Sequence, residues 1–163
     1  MTTRDNALQV LSQALKLEHE GQAFYNQAAE STLDAKGKTM FSALADDEAR
    51  HAEMIQRQLH ALEGDGKYVL LPDLDAPAID LGAKLFAPDK VEAKAGVSAS
   101  DIDALHIAIE NEIKSYELYA AAAKSSDDPN AIQLYGWLAS AETTHFNLLM
   151  SNYESLVSLG GWI

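Results

Sequence analysis

One spacing of carboxylates and imidazole occurs twice in this chain. Glu18 is followed thirty residues later by Glu48-Ala49-Arg50-His51, and Glu112 thirty residues later by Glu142-Thr143-Thr144-His145. An offset of 94 carries the first set onto the second without a gap. The same offset brings Tyr25 onto Tyr119, Ala28-Ala29 onto Ala122-Ala123 and Leu44-Ala45 onto Leu138-Ala139. The period is too long for a solenoid array. It fits two helical hairpins packed about a pseudo-two-fold axis.

Apolar residues recur at helical spacing in four stretches. Leu8, Leu11, Leu15 and Tyr25 mark a helix over roughly 5–31, and Phe41, Leu44, Ile55 and Leu62 one over roughly 37–63. Ile102, Leu105, Ile109, Tyr116 and Tyr119 mark a third over roughly 100–125, and Leu134, Leu138, Leu149 and Leu156 a fourth over roughly 129–158. Ser100 and Asp101 can cap the third helix, and Pro129 suits the first turn of the fourth. Gly37 and Gly64 fall near expected helix ends, and Gly160-Gly161 follow the last.

The first and last joints are short, which makes antiparallel neighbours. The middle joint, roughly 64–99, contains Gly64, Gly66, Gly82, Gly96, Pro72, Pro77 and Pro88. It is long enough to run the ~39 Å of a 26-residue helix. The expected fold is therefore all-α: a ferritin-like four-helix bundle, two helical hairpins joined by a long crossover, forming one domain over residues 1–163.

Residues i and i+3 share a helix face. Glu48 with His51, and Glu142 with His145, therefore each present an oxygen and a nitrogen side by side. Glu18 continues the apolar stripe Leu8, Leu11, Leu15, and Glu112 continues Ile102, Leu105, Ile109. These acids interrupt core stripes near mid-helix, so all six groups can meet at one height. Buried carboxylates without partners cost several kcal/mol each, and four together repel. Two divalent ions cancel four carboxylate charges. Glu18, Glu48, His51, Glu112, Glu142 and His145 are accordingly the expected ligands of a two-metal centre. Carboxylate and imidazole donors suit iron, manganese or zinc.

A lone Glu-x-x-His on a helix is ordinarily a surface ion pair; it is the doubling that argues for metal. Asp103-x-x-His106 has no repeat partner and reads as a solvated pair, and His19 and His60 as surface residues. Glu20 and Glu110 point about 200° around the helix from the proposed ligands, toward solvent. Tyr25 and Tyr119, two turns beyond Glu18 and Glu112, can hydrogen-bond ligand carboxylates or serve as core aromatics with a polar tip. Asp47 can accept the free ring N–H of a ligand histidine across the bundle, or lie at the surface; its repeat partner is Ala141.

A formal net charge of -13 argues against nucleic acid as a partner. The chain has no cysteine, which excludes disulfides, thiol catalysis, iron–sulfur clusters and Cys-based zinc sites. No apolar run approaches the ~20 residues of a membrane span. The start leads directly into an amphipathic pattern, so a soluble, cytoplasmic protein is expected.

With these residues assembled, the chain resembles the rubrerythrin family of the ferritin-like superfamily. The resembling segments are Leu17–Tyr25, Leu44–His51, Ala108–Glu112 and Ala141–His145. The resemblance implies a non-haem di-iron oxidoreductase that reacts with hydrogen peroxide or dioxygen through those six ligands, most simply a peroxidase of oxidative-stress defence, acting as a homodimer. It implies that Glu48 and Glu142 bridge the metals, Glu18 and His51 completing one iron and Glu112 and His145 the other. Two departures accompany it. Peroxidatic rubrerythrins usually carry a rubredoxin domain with four Cys, so a separate electron-donor protein is expected here. They also carry an extra Glu one turn after the third-helix ligand, where this chain has Ser115, with Gly21 as its repeat partner. The alternatives are a ferroxidase or iron-storage protein of ferritin type, and a non-catalytic metal-binding scaffold.

Overall fold

A computed structural model describes residues 3–75, 79–94 and 96–163. Four helices account for its regular structure: α1 (Thr3–Ser31), α2 (Ala35–Asp65), α3 (Ala99–Ser125) and α4 (Pro129–Leu159). α1 packs along α2 and α3 along α4, and the two hairpins meet through α1 and α3. The expected ferritin-like four-helix bundle is the observed fold. No described helix is long and apolar enough to cross a membrane.

The repeat extends to the ends of the helices. Asp34 caps α2, its side chain accepting from the backbone N–H of Lys36 and Gly37 at 2.8 and 3.3 Å. Its counterpart 94 residues on, Asp128, caps α4 through Asn130 and Ala131 at the same distances, with Pro129 opening the helix. Both helices also end alike. Gly66 and Gly160 take left-handed φ values of 69° and 79°, which a Cβ would disfavour.

The sequence-based capping assignments need correcting. α3 begins after Ser98 rather than at Ser100 or Asp101, and Ser98 makes no side-chain cap hydrogen bond; its hydroxyl pairs with that of Ser100 instead. Gly37 and Gly64 break nothing, because both lie inside α2. Gly37 is there because Trp162 packs on it: a Cβ would meet the indole at 2.7 Å.

The described residues of the crossover form no helix or strand and are tied down by side chains that reach their carbonyls. Near its start Gln58 brackets Val69, donating to its carbonyl and accepting from its N–H. Farther on the Tyr116 hydroxyl bonds Asp80 and Ala83, and the Tyr153 hydroxyl bonds Asp89. His106 Nε2 lies 2.9 Å from the Pro88 carbonyl oxygen. His106 is therefore buried under the crossover, not the solvated partner expected from its spacing to Asp103. Pro77 lies outside the described residues.

Two apolar clusters fill the bundle. One gathers Leu11, Ile55, Leu59, Leu134, Tyr135 and Leu138, the other Phe41, Leu44, Leu105, Ile109, Leu149 and Leu156. Each fully buried Leu, Ile or Phe side chain contributes about 1.5–3 kcal/mol. Between the two clusters lies a polar layer.

Candidate metal centre

That layer consists of the six residues singled out by the doubled spacing. Glu18, Glu48, His51, Glu112, Glu142 and His145 are all buried, none more than 4 % exposed. One helix each supplies Glu18 and Glu112, and α2 and α4 supply the two Glu-x-x-His pairs. Their atoms form two overlapping sets, Glu18, Glu48, His51 and Glu142, and Glu48, Glu112, Glu142 and His145, each within 4.8 Å. Glu48 and Glu142 belong to both.

Both imidazoles aim Nδ1 inward. His51 Nδ1 is 3.2 Å from Glu18 and 3.5 Å from Glu142. His145 Nδ1 is 3.2 Å from Glu48, 3.5 Å from Glu142 and 3.6 Å from Glu112. The outer nitrogen of His145 meets Asp47 Oδ2 at 3.1 Å, a support that the sequence had left open. Asp47 is in turn paired with Arg50. At the equivalent place beside His51 the repeat offers Ala141; the Trp137 ring stands nearly perpendicular to the His51 ring, with centroids 5.5 Å apart.

The tyrosines cross between hairpins. The Tyr25 hydroxyl on α1 donates to Glu112 on α3, and the Tyr119 hydroxyl on α3 donates to Glu18 on α1. Each orients the outer carboxylate of the opposite half. Burial, then the charge of Glu112, holds Tyr25 protonated; burial and the charge of Glu18 do the same for Tyr119.

The electrostatics divide the acids into two kinds. Burial and the charge of Glu142 push Glu48 up to about 10, and burial with the charge of Glu112 pushes Glu142 well above the carboxylate range. Burial also acts to raise Glu18 and Glu112. For Glu18 it is outweighed by the close approach of Glu48 and His51, the Tyr119 hydrogen bond and the His51 charge, and for Glu112 by the close approach of Glu142 and His145, the His145 charge and the Tyr25 hydrogen bond. Burial would lower His145, but Glu112, Glu142 and Glu48 raise it to about 12. Protons thus substitute for positive charge at the two shared acids and at His145.

Hydrogen bonding leaves this layer incomplete. Glu48 Oε1, Glu112 Oε2, both oxygens of Glu142 and His145 Nδ1 are buried without an aligned hydrogen-bond partner. Native proteins rarely leave such atoms unpaired. All of them face the centre of the two sets, and an acid–imidazole donor group of this kind fits a pair of divalent ions.

A small cavity of about 60 Å³ reaches Glu48 and Glu112 from between α1 and α3. Gly21 and Ser115, partners in the repeat, both line it, and a Cβ on Gly21 would stand 3.3 Å from Glu48 Oε2. His19, Glu20, His60 and Glu110, expected to face solvent, are exposed, and Glu20 also lines this cavity. Sequence reasoning missed the crossed pairing of the tyrosines, the Trp137 contact and the opening beside Gly21. The small residues at 21 and 115 were the available signal for that opening.

A hypothetical protein from Pyrococcus furiosus has the same fold, with a TM-score of 0.69 and 24 % identity over 93 % of this chain and 90 % of its own. No curated protein matches the chain. The family model for rubrerythrin matches residues 9–153, a span that contains all six centre residues. The chain belongs to the rubrerythrin family.

Proposed function

We propose that the protein is a di-iron oxidoreductase that reduces hydrogen peroxide in defence against oxidative stress, drawing electrons from a separate donor protein. The observation that carries this reading is the small cavity ending on Glu48 and Glu112, two members of the overlapping ligand sets. About 60 Å³ is room enough for an oxidant as small as hydrogen peroxide. Glu48 and Glu142, common to both sets, would help hold both ions, with Glu18 and His51 completing one set and Glu112 and His145 the other. Two ferrous ions supply the two electrons that, with two protons, convert one peroxide to two waters.

The chain's own groups hold that centre in place. Tyr25 and Tyr119 fix the outer carboxylates from the opposite hairpin. Asp47 keeps the proton on His145 Nε2, which leaves Nδ1 as the inward donor. The apolar clusters above and below exclude bulk water. These 163 residues contain no cysteine and so build no rubredoxin-type iron site themselves, which is why the proposal includes a separate electron donor.

The test is stopped-flow absorbance on anaerobically reduced, iron-loaded protein mixed with peroxide or dioxygen at equal concentration. Faster oxidation by peroxide is expected. Equal or faster reaction with dioxygen supports the ferroxidase alternative, and reaction with neither supports an inert metal scaffold.

A further inference from the structure

The aromatic residues beyond Tyr119 do not follow the symmetry of the repeat. In the first half Tyr25 stacks on Phe41 with centroids 6.2 Å apart, and Phe41 meets Trp162 at 5.7 Å. In the second half Tyr119 stacks on Tyr135 at 6.4 Å. Tyr135 stands 94 residues after Phe41, so the repeat replaces a phenyl ring with a phenol. The Tyr135 hydroxyl lies 3.0 Å from that of Tyr68, a residue of the crossover, and the two rings are 6.2 Å apart. Tyr68 and Tyr135 line a cavity of about 570 Å³ at the end of the bundle where α1 and α4 begin, beside Arg4 and Lys67. Tyr135 is 2 % exposed, whereas Tyr68 is half-buried.

We propose that Tyr119, Tyr135 and Tyr68 form a path that carries single oxidising equivalents from the metal centre to the cavity at the bundle end, where an external one-electron donor discharges them. The proposal rests on the peroxide-reducing function. It applies when the centre holds one reducing electron and peroxide requires two. Tyr119 then gives the missing electron to the centre and its hydroxyl proton to Glu18, the acceptor of its hydrogen bond. Tyr135 refills Tyr119 with an electron, and Tyr119 recovers its proton from Glu18. The buried Tyr135 hydroxyl passes its proton to the Tyr68 oxygen as Tyr68 releases its own to water. Tyr68 then returns an electron and a proton to Tyr135 across the same 3.0 Å contact. The sum is one electron delivered to the centre, one proton released and a neutral phenoxyl radical on Tyr68. One electron and one proton from the donor side restore it. The first half offers no equivalent path, because the phenyl ring of Phe41 is far harder to oxidise than a phenol and carries no transferable hydroxyl proton.

The experiment uses iron-loaded protein reduced to one electron per centre and mixed with one equivalent of hydrogen peroxide. Freeze-quench EPR reads the organic radical, and a nitroso spin trap followed by peptide mass spectrometry locates it. The expected result is a tyrosyl radical with its adduct on Tyr68. In Tyr135→Phe, which removes one oxygen and keeps the ring, the Tyr68 adduct should fall at least tenfold while ferrous oxidation by peroxide is unchanged. Tyr116→Phe, whose hydroxyl bonds only the crossover, should retain the adduct. An adduct confined to Trp137 or Tyr25, or one on Tyr68 that survives Tyr135→Phe, overturns the path and leaves the peroxide function standing. Iron that peroxide does not oxidise overturns both.

Discussion

Asp47 Oδ2 sits 3.1 Å from the outer nitrogen of His145, and the repeat places Ala141 at the matching position beside His51. The two halves of the centre are therefore supported unequally. Asp47→Ala should weaken metal binding roughly 10- to 100-fold at the His145 side while leaving the His51 side near wild type. Calorimetric titration of metal-free protein with zinc would resolve two classes of site in the variant. Equal weakening of both ions would contradict the assignment of Asp47.

The inward acids should be separable from their neighbours in sequence. Glu48→Ala or Glu142→Ala should lower bound metal well below two ions per chain, whereas Glu20→Ala and Glu110→Ala, on exposed positions, should leave it unchanged. Elemental analysis after anaerobic loading with iron measures this directly. Equal metal content in all four variants would refute the ligand set.

Glu48 links stability to pH in the metal-free protein. Its folded value of about 10 lies above the ordinary 4.5, so the folded state holds a proton that the unfolded chain releases. The contribution is fully present below pH 4.5 and is lost as pH rises toward 10. Between about pH 5 and 8 Glu48→Gln should flatten the fall of Tm with pH, and it should stabilise the metal-free fold at pH 8 by a few kcal/mol at most. Metal binding by the wild type should release protons, seen as a heat that depends on the buffer's ionisation enthalpy. A steeper pH slope in the variant, or no buffer dependence, would contradict the charge state assigned to the centre.

Gly21→Ala should obstruct the opening beside Glu48. The added methyl stands 3.3 Å from Glu48 Oε2, so the carboxylate must shift or the cavity must shrink. Ferrous oxidation by peroxide should slow roughly tenfold, with metal content little altered. An unchanged rate would place the route of the oxidant elsewhere.

Gly37→Ala tests packing far from the centre. A Cβ there meets the buried Trp162 indole at 2.7 Å, and a ring cannot yield as a flexible chain can. The substitution should cost about 1–3 kcal/mol, even though alanine favours helix more than glycine does. A variant as stable as wild type would show that Trp162 can move.

The four helices and six centre residues were legible because two independent periodicities agreed: the helical spacing of Leu and Ile, and the offset of 94. The same offset relates Asp34 to Asp128 and Gly66 to Gly160, so both ends of α2 and α4 were present in the sequence as well. His106 was misread because its burial comes from Pro88 in the crossover, a chain segment with no periodicity to place it. The partnership of Tyr68 with Tyr135 was hidden for the same reason. The pairing of Tyr25 with Glu112, rather than with the acid on its own helix, depends on how the hairpins dock. That docking is a property of the packed bundle and leaves no mark within a single helix.

The crossover makes one molecule of two hairpins that would otherwise have to find each other by diffusion. Its span from Gly66 to Ser98, pinned by Tyr116, Tyr153 and Gln58, sets an effective concentration of the second hairpin about the first. A tether of this kind acts at about millimolar strength when it is flexible, and more strongly when it is fixed along the surface it bridges. The seam it holds shut buries four acids, two of them kept neutral only by holding protons. The chain can therefore keep a costly buried polar cluster assembled and waiting, at metal concentrations too low to bring two free halves together.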